Sequence, residues 1–208
     1  MRWIRFRDSA GRALHAHVDD ARAQPVEGSP FGDWRDRGDS VALDSIDWLP
    51  PVQPSKVIAL WKNFHALVVG QTMRAVAPAG VRPHLLGCTI ANDVTAMELI
   101  GRDPSFAQWS RAKSFDTFGV LGPWIDTEFD WSGASVRTRV NGRERQHYPL
   151  ADMIFGPIEL LSRLSHDMTL EPGDVVLCGT SVGSLPMRPG SEIEVEIDGL
   201  GVLANRYG

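Results

Sequence analysis

A strand-rich α+β fold with few helices and a small N-terminal β module is what this sequence predicts, and three observations predict it. Apolar, β-branched runs recur in short pieces bounded by Gly, Pro, Asn and Asp. Asn141-Gly142, the strongest short hairpin signal, lies between two segments that answer each other, Val136–Val140 and Arg143–Tyr148. Only residues 152–164 carry apolar side chains at sustained helical spacing, through Met153, Ile154, Ile158, Leu160, Leu161 and Leu164.

From the N-terminus, Trp3, Ile4 and Phe6 alternate with arginines, turn at residues 8–11, and return through Ala13, Leu14, Ala16 and Val18, which predicts a hairpin. Residues 24–54 are rich in Gly, Pro, Asp and Ser, with one short apolar piece at Val41–Leu43, and read as a linker. The chain therefore divides into residues 1–53, a small N-terminal domain and linker, and residues 54–208, the main domain. In the latter, Lys56–Trp61 reads as a buried strand and a second begins at Ala66. Residues 78–86 suit one or two helical turns. Leu86–Ala91 is a strand that delivers Asp93 at its end. Asp103-Pro104 opens a short helix over Phe106–Ala112, proline being favoured at a first helical position. Val175–Thr180 and Glu192–Gly201 are further strands, the second with one wet face because charged and apolar residues alternate.

Composition narrows the function. The 208 residues are 43% hydrophobic and 23% charged, ordinary globular usage that excludes collagen, coiled coil and disorder. The net charge is −5 and the arginines are spread along the chain, so no nucleic-acid surface is expected. Cys88 and Cys178 sit among apolar neighbours, where reduced buried thiols are the default. The N-terminus is broken by charge every second or third residue and no long apolar stretch follows, so a cytoplasmic protein without membrane contact is expected.

Several residues carry chemical potential beside a plainer alternative. Asp93, at a strand exit and flanked by Asn92 and Thr95, is placed where hard cations are held, although local sequence favours an Asx-turn or helix cap. Lys113, one of three lysines, lies among aromatics that would aim its ammonium at an anion; otherwise it is a snorkelling lysine beside Phe115 and Phe118. Residues 179–183, Gly-Thr-Ser-Val-Gly, form either an oxyanion nest or a tight turn. His65 is either a general base or a packing residue. His15 and His17 share a strand face, a weak metal pattern. Gly-x-Gly-x-x-Gly and Walker motifs are absent, which removes support for dinucleotide and NTPase readings.

Taken in order, Ile90-Ala-Asn-Asp-Val-Thr-Ala96, Gln108-Trp109, Lys113-Ser-Phe-Asp-Thr-Phe-Gly-Val-Leu-Gly-Pro123, Val140-Asn-Gly-Arg-Glu-Arg-Gln146, residues 169–180 and residues 190–201 resemble the fumarylacetoacetate hydrolase family. The resemblance runs from about Pro54 to the C-terminus. It implies a mixed β core with few helices, a homodimer, Mg²⁺ or Mn²⁺, and action on 2-oxo or 2,4-dioxo acids of aromatic catabolism by C–C hydrolysis, isomerisation or decarboxylation. By motif position, Asp93 resembles the metal-binding aspartate and Lys113 the active-site lysine. Gln146 and Arg145 after the Asn-Gly turn, with Thr180 of the Gly-Thr loop, take the place of substrate-binding residues, and His65 that of the general base.

The pattern departs from the family in named places. The family's Glu-x-Glu pair, which brings two further metal carboxylates, belongs before Leu67–Gly70; here Asn63-Phe-His-Ala66 precedes that strand. Several dozen residues that the family places at this point are absent. Ser181 replaces the commoner proline and Met97 a common arginine. One carboxylate holds Mg²⁺ weakly. The alternative to an enzyme is a family member that has lost its ligands and binds only a small carboxylate, or serves as a structural protein.

Overall fold

A computed structural model describes residues 1–60, 65–179, 183 and 186–208. The predicted N-terminal hairpin forms as β1 (Arg2–Arg7) and β2 (Ala13–Asp19), paired along its length from Arg2↔Val18 to Arg7↔Ala13. Asp8 closes the turn, its Oδ1 accepting from the Ala10 and Arg12 N–H groups at 3.0 and 2.8 Å.

The segment read as a linker is instead threaded with short strands: β3 (Arg22–Gly28), β4 (Trp34–Asp36), β5 (Val41–Ala42) and β6 (Asp47–Leu49). Each finds its partner in the hairpin or in another of these strands, β3 on β2, β4 and β5 on β3, and β6 on β1. β4, β5 and β6, of two or three residues each, leave almost no periodicity to read, so the Gly and Pro content dominated the expectation there.

The main chain then supplies β7 (Val57–Ala59), β8 (His65–Val69), β9 (Leu85–Asn92), α1 (Met97–Ile100), α2 (Trp109–Lys113), β10 (Val120–Asp126), β11 (Ser135–Val140), β12 (Arg143–Pro149), α3 (Pro157–Asp167), β13 (Val175–Leu177), β14 (Glu192–Ile197) and β15 (Gly201–Arg206). β7 is a half-exposed edge rather than the buried strand expected, pairing in parallel with β13 alone. The helix expected from Phe106 starts later, at Trp109, because the Asp103 carboxylate is turned onto the N–H and hydroxyl of Ser105 at 2.9 and 2.6 Å and forms an Asx-turn. Likewise α3 begins at Pro157, after a single 3₁₀ turn at Leu150–Asp152, since the Gly156-Pro157 pair sets its first position.

Two sheets face each other. The larger runs β4-β3-β2-β1-β10-β9-β8-β13-β7, with β5 and β6 attached to β3 and β1; the smaller runs β12-β11-β14-β15. Because side chains alternate across a strand, Leu67, Cys88, Ile90 and Val176 of the large sheet meet Val136, Ile193, Val195 and Ile197 of the small one, with Leu161 of α3 closing the layer. Burying each such leucine or isoleucine is worth roughly 1.5–3 kcal/mol. Ala66, Val68, Val175 and Leu177 turn to the other face, against Trp3, Val26, Val52 and Ile125. The N-terminal hairpin joins this body through β1, which pairs with β10. Cys88 and Cys178 are buried free thiols, and burial pushes the Cys88 thiol up to about 12.

Candidate active site

The strand β9 ends at Asn92, and its position there is fixed on both flanks: Val120 of β10 pairs with it, and its amide donates to Asn205 of β15 at 3.0 Å. Asp93 is thereby delivered just past the sheet edge. It does not cap α1, which starts from Ala96 without a side-chain cap. The carboxylate is instead taken by Lys113, whose Nζ donates to Oδ2 of Asp93 and, at 2.8 Å, to Oγ1 of Thr95. Thr95 in turn donates to the Asp93 carbonyl at 3.1 Å.

Backbone geometry brings these residues together. The Ala96 N–H donates to the Ala112 carbonyl at 2.8 Å, and Ala112 is fully buried, so the residue after it, Lys113, points back along the Asp93–Thr95 segment. Lys113 is thus neither a snorkelling lysine nor a free one. Its side chain is 24% exposed and that of Asp93 26%, so the pair is half-sheltered and open on one side. An ammonium has three donors; two are used, and the third has no partner among the described residues, nor has Oδ1 of Asp93. Each member of the pair thus keeps one open valence.

Gln146 lies on the inner face of the small sheet, buried, where its Oε1 accepts from the Thr138 hydroxyl at 3.0 Å across the β11–β12 ladder. Gly183 packs against the Arg145 carbonyl and the Gln146 side chain, so the loop that follows β13 reaches this ladder. Arg145 itself is exposed. Thr180 lies outside the described residues.

His65 occupies a different setting. It begins β8 opposite Ile90, on the inner face shared with Leu67 and Val69, and is fully buried. Among the described residues neither ring nitrogen has a hydrogen-bond partner, and burial pushes its pKa down to about 4. The imidazole is neutral at pH 7 and has no contact with solvent. Asn205, which steadies the end of β9, carried no sequence signal; Thr95 did, as the hydroxyl two residues beyond Asp93.

A divalent ion does not fit the donors present. Among the described residues no three His, Cys, Asp or Glu side chains converge, and residues 61–64, 180–182 and 184–185 include none of these types. The charge of Asp93 is already matched by an ammonium. Oxygen-loving cations need carboxylates to offset their charge.

The fold agrees with the comparisons with known proteins. The family described as Fumarylacetoacetate (FAA) hydrolase C-terminal matches residues 65–207, and one described as Rv2993c-like, N-terminal, matches residues 1–51. This chain belongs to the fumarylacetoacetate hydrolase family. An uncharacterized protein of Archaeoglobus fulgidus is 34% identical over 214 residues, covering 81% of this chain and 84% of that protein. Since 214 exceeds the 208 residues of the whole chain, that relative carries residues with no counterpart here. Oxaloacetate tautomerase YisK of Bacillus subtilis is 36% identical, over 69% of this chain and 50% of its own length. The crystal structure of 5-carboxymethyl-2-hydroxymuconate delta-isomerase from Mycobacterium smegmatis superposes with a TM-score of 0.92 at 30% identity, over 100% of this chain and 99% of that one. No described helix is long and apolar enough to cross a membrane.

Proposed function

We propose that this chain binds small 2-oxo or 2,4-dioxo acids and moves a proton between their keto and enol forms, as a tautomerase or double-bond isomerase. The observation that carries this is the Lys113–Asp93 pair, an ammonium and a carboxylate in contact, each with one unused position on the open side of the site.

The two groups suit the two halves of enolisation. Oδ1 of Asp93 takes the proton from the carbon next to the 2-oxo group. The C–H electron pair becomes the C=C bond, and the carbonyl π pair moves onto oxygen, where the third N–H of Lys113 receives it. Returning the proton to the oxygen gives the enol; returning it to a more distant carbon of a conjugated acid shifts the double bond. A single oxyanion donor is worth roughly 10²–10³ in rate, and a positioned base roughly 10²–10⁴. Thr95 holds the ammonium in place, and Gln146, buried beside Gly183, is taken from its motif position to border the substrate's far end.

Hydrolysis of a C–C bond asks for an activated water as well. The base assigned to that role by family resemblance, His65, is sealed in the core and away from solvent, so proton transfer is favoured over hydrolysis. The names of the two characterised relatives, a tautomerase and a delta-isomerase, point the same way.

The test is ultraviolet-monitored ketonisation of enol oxaloacetate, with a hydroxymuconate-type diene in parallel, by the full chain and by Lys113→Met. Acceleration over buffer that Lys113→Met removes supports the reading. No acceleration of either substrate, with carboxylate binding retained, replaces it with the non-catalytic carboxylate-binding alternative.

A further inference from the structure

Resting on the reading that the Asp93 region is the substrate site, we infer that this site works without a divalent cation, the Lys113 ammonium occupying the place at Asp93 that such an ion would take. Three observations meet here. Asp93 belongs to no group of three His, Cys, Asp or Glu side chains among the described residues, and the ammonium holds its Oδ2 directly. The Lys113 ammonium is also held by the Thr95 hydroxyl, and its backbone is set by the Ala96–Ala112 hydrogen bond. The Asp93, Thr95 and Lys113 group is neutral overall, so an arriving divalent ion would face an ammonium at contact distance and, among the described residues, find no set of three His, Cys, Asp or Glu side chains to receive it. What the site offers is one outward N–H⁺ donor, the equipment for a monoanionic oxygen. The ligand class that follows is a 2-oxo carboxylate bound by hydrogen bonds to Lys113, with no chelated metal.

The experiment has two arms on the full chain. Mn²⁺ alone is titrated and free ion is read from its electron paramagnetic resonance signal; pyruvate binding is read by saturation-transfer NMR with and without EDTA. The expected results are no stoichiometric Mn²⁺ uptake at micromolar concentration, pyruvate affinity unchanged by EDTA, and that affinity falling at least about tenfold in Lys113→Met while Lys113→Arg retains part of it. One Mn²⁺ bound per chain at micromolar concentration and lost in Asp93→Asn, or a tenfold loss of pyruvate affinity in EDTA, overturns the inference. Failure of pyruvate to bind under any condition defeats the substrate-site reading instead, and the Mn²⁺ arm still decides this one.

Discussion

Lys113 and Asp93, twenty residues apart, form a direct ion pair at the exit of β9, joined by the hydroxyl of Thr95. Neither group is redundant in the proposed proton transfer, one holding the negative oxygen and the other carrying the proton. Asp93→Asn keeps the shape and a hydrogen bond to Nζ but removes the base. It is expected to lower kcat by roughly 10²–10⁴ with little change in KM. Lys113→Met is expected to lower kcat by roughly 10²–10³ and to raise KM as well, because the ammonium also binds the ground-state anion. Steady-state kinetics on the enol substrate check both. Equal losses in the two variants confined to KM would show that the pair binds without catalysing.

His65 gives a prediction about stability and pH. Its pKa falls from about 6.5 in an unfolded chain to about 4 in the fold, because burial disfavours the imidazolium. The unfolded state therefore binds more protons between these values, and folding stability rises with pH across that window. From pH 7 down to pH 4 the expected loss from this group is roughly 3 kcal/mol. His65→Leu, apolar and of similar bulk, should flatten the slope and hold or raise stability at neutral pH, since it also removes two unsatisfied ring nitrogens. Urea denaturation at pH 7 and pH 5 measures both effects. A His65→Leu chain that keeps the full pH slope would show that another group is responsible.

Asp174, a buried carboxylate, acts with the opposite sign. It is fully buried and accepts from the Glu171 N–H at 2.6 Å, the Ser55 hydroxyl at 2.6 Å and the Lys56 N–H at 3.2 Å, and it pairs with the Lys56 ammonium. Burial pushes its pKa up, but these donors outweigh burial and leave it below the usual carboxylate range. Its contribution is present above about pH 4 and is lost as pH falls further. Asp174→Ala strands several buried donors and unties the segment before β7 from the turn before β13. The expected cost is about 3 kcal/mol, read as a lower urea midpoint at unchanged slope.

The sequence revealed some of this site and concealed the rest for physical reasons. Asp93 was legible as a strand-end carboxylate because the run from Leu86 to Ala91 is apolar and stops abruptly. Its partner was not, since contact with Lys113 depends on the turn between α1 and α2 and on the Ala96–Ala112 hydrogen bond, which no local pattern encodes. The Asn141-Gly142 hairpin was legible from its turn alone, both residues adopting the positive φ that the dipeptide favours. The strands β4, β5 and β6 were hidden because their neighbours, not their own residues, decide their pairing. His65 shows the limit of motif position: a histidine in the expected order can still be carried into the core by the strand it starts.

Gly183 ties the loop after β13 to Gln146, and a single methyl group tests that tie. Its φ is +102°, a conformation that side chains rarely adopt, and a Cβ placed there would lie 3.0 Å from the Arg145 carbonyl oxygen and 3.2 Å from Cγ of Gln146. The Arg145 carbonyl belongs to the β12 backbone and cannot retreat, so in Gly183→Ala the loop must move. Global stability should fall by only about 1–2 kcal/mol. If Gln146 and this loop hold the far end of the acid, KM should rise several-fold while kcat, set by Lys113 and Asp93, stays within about twofold. Gln146→Leu should reproduce that split without disturbing the loop. An unchanged KM in both variants would remove Gln146 from the site and leave substrate recognition to the Lys113–Asp93 pair.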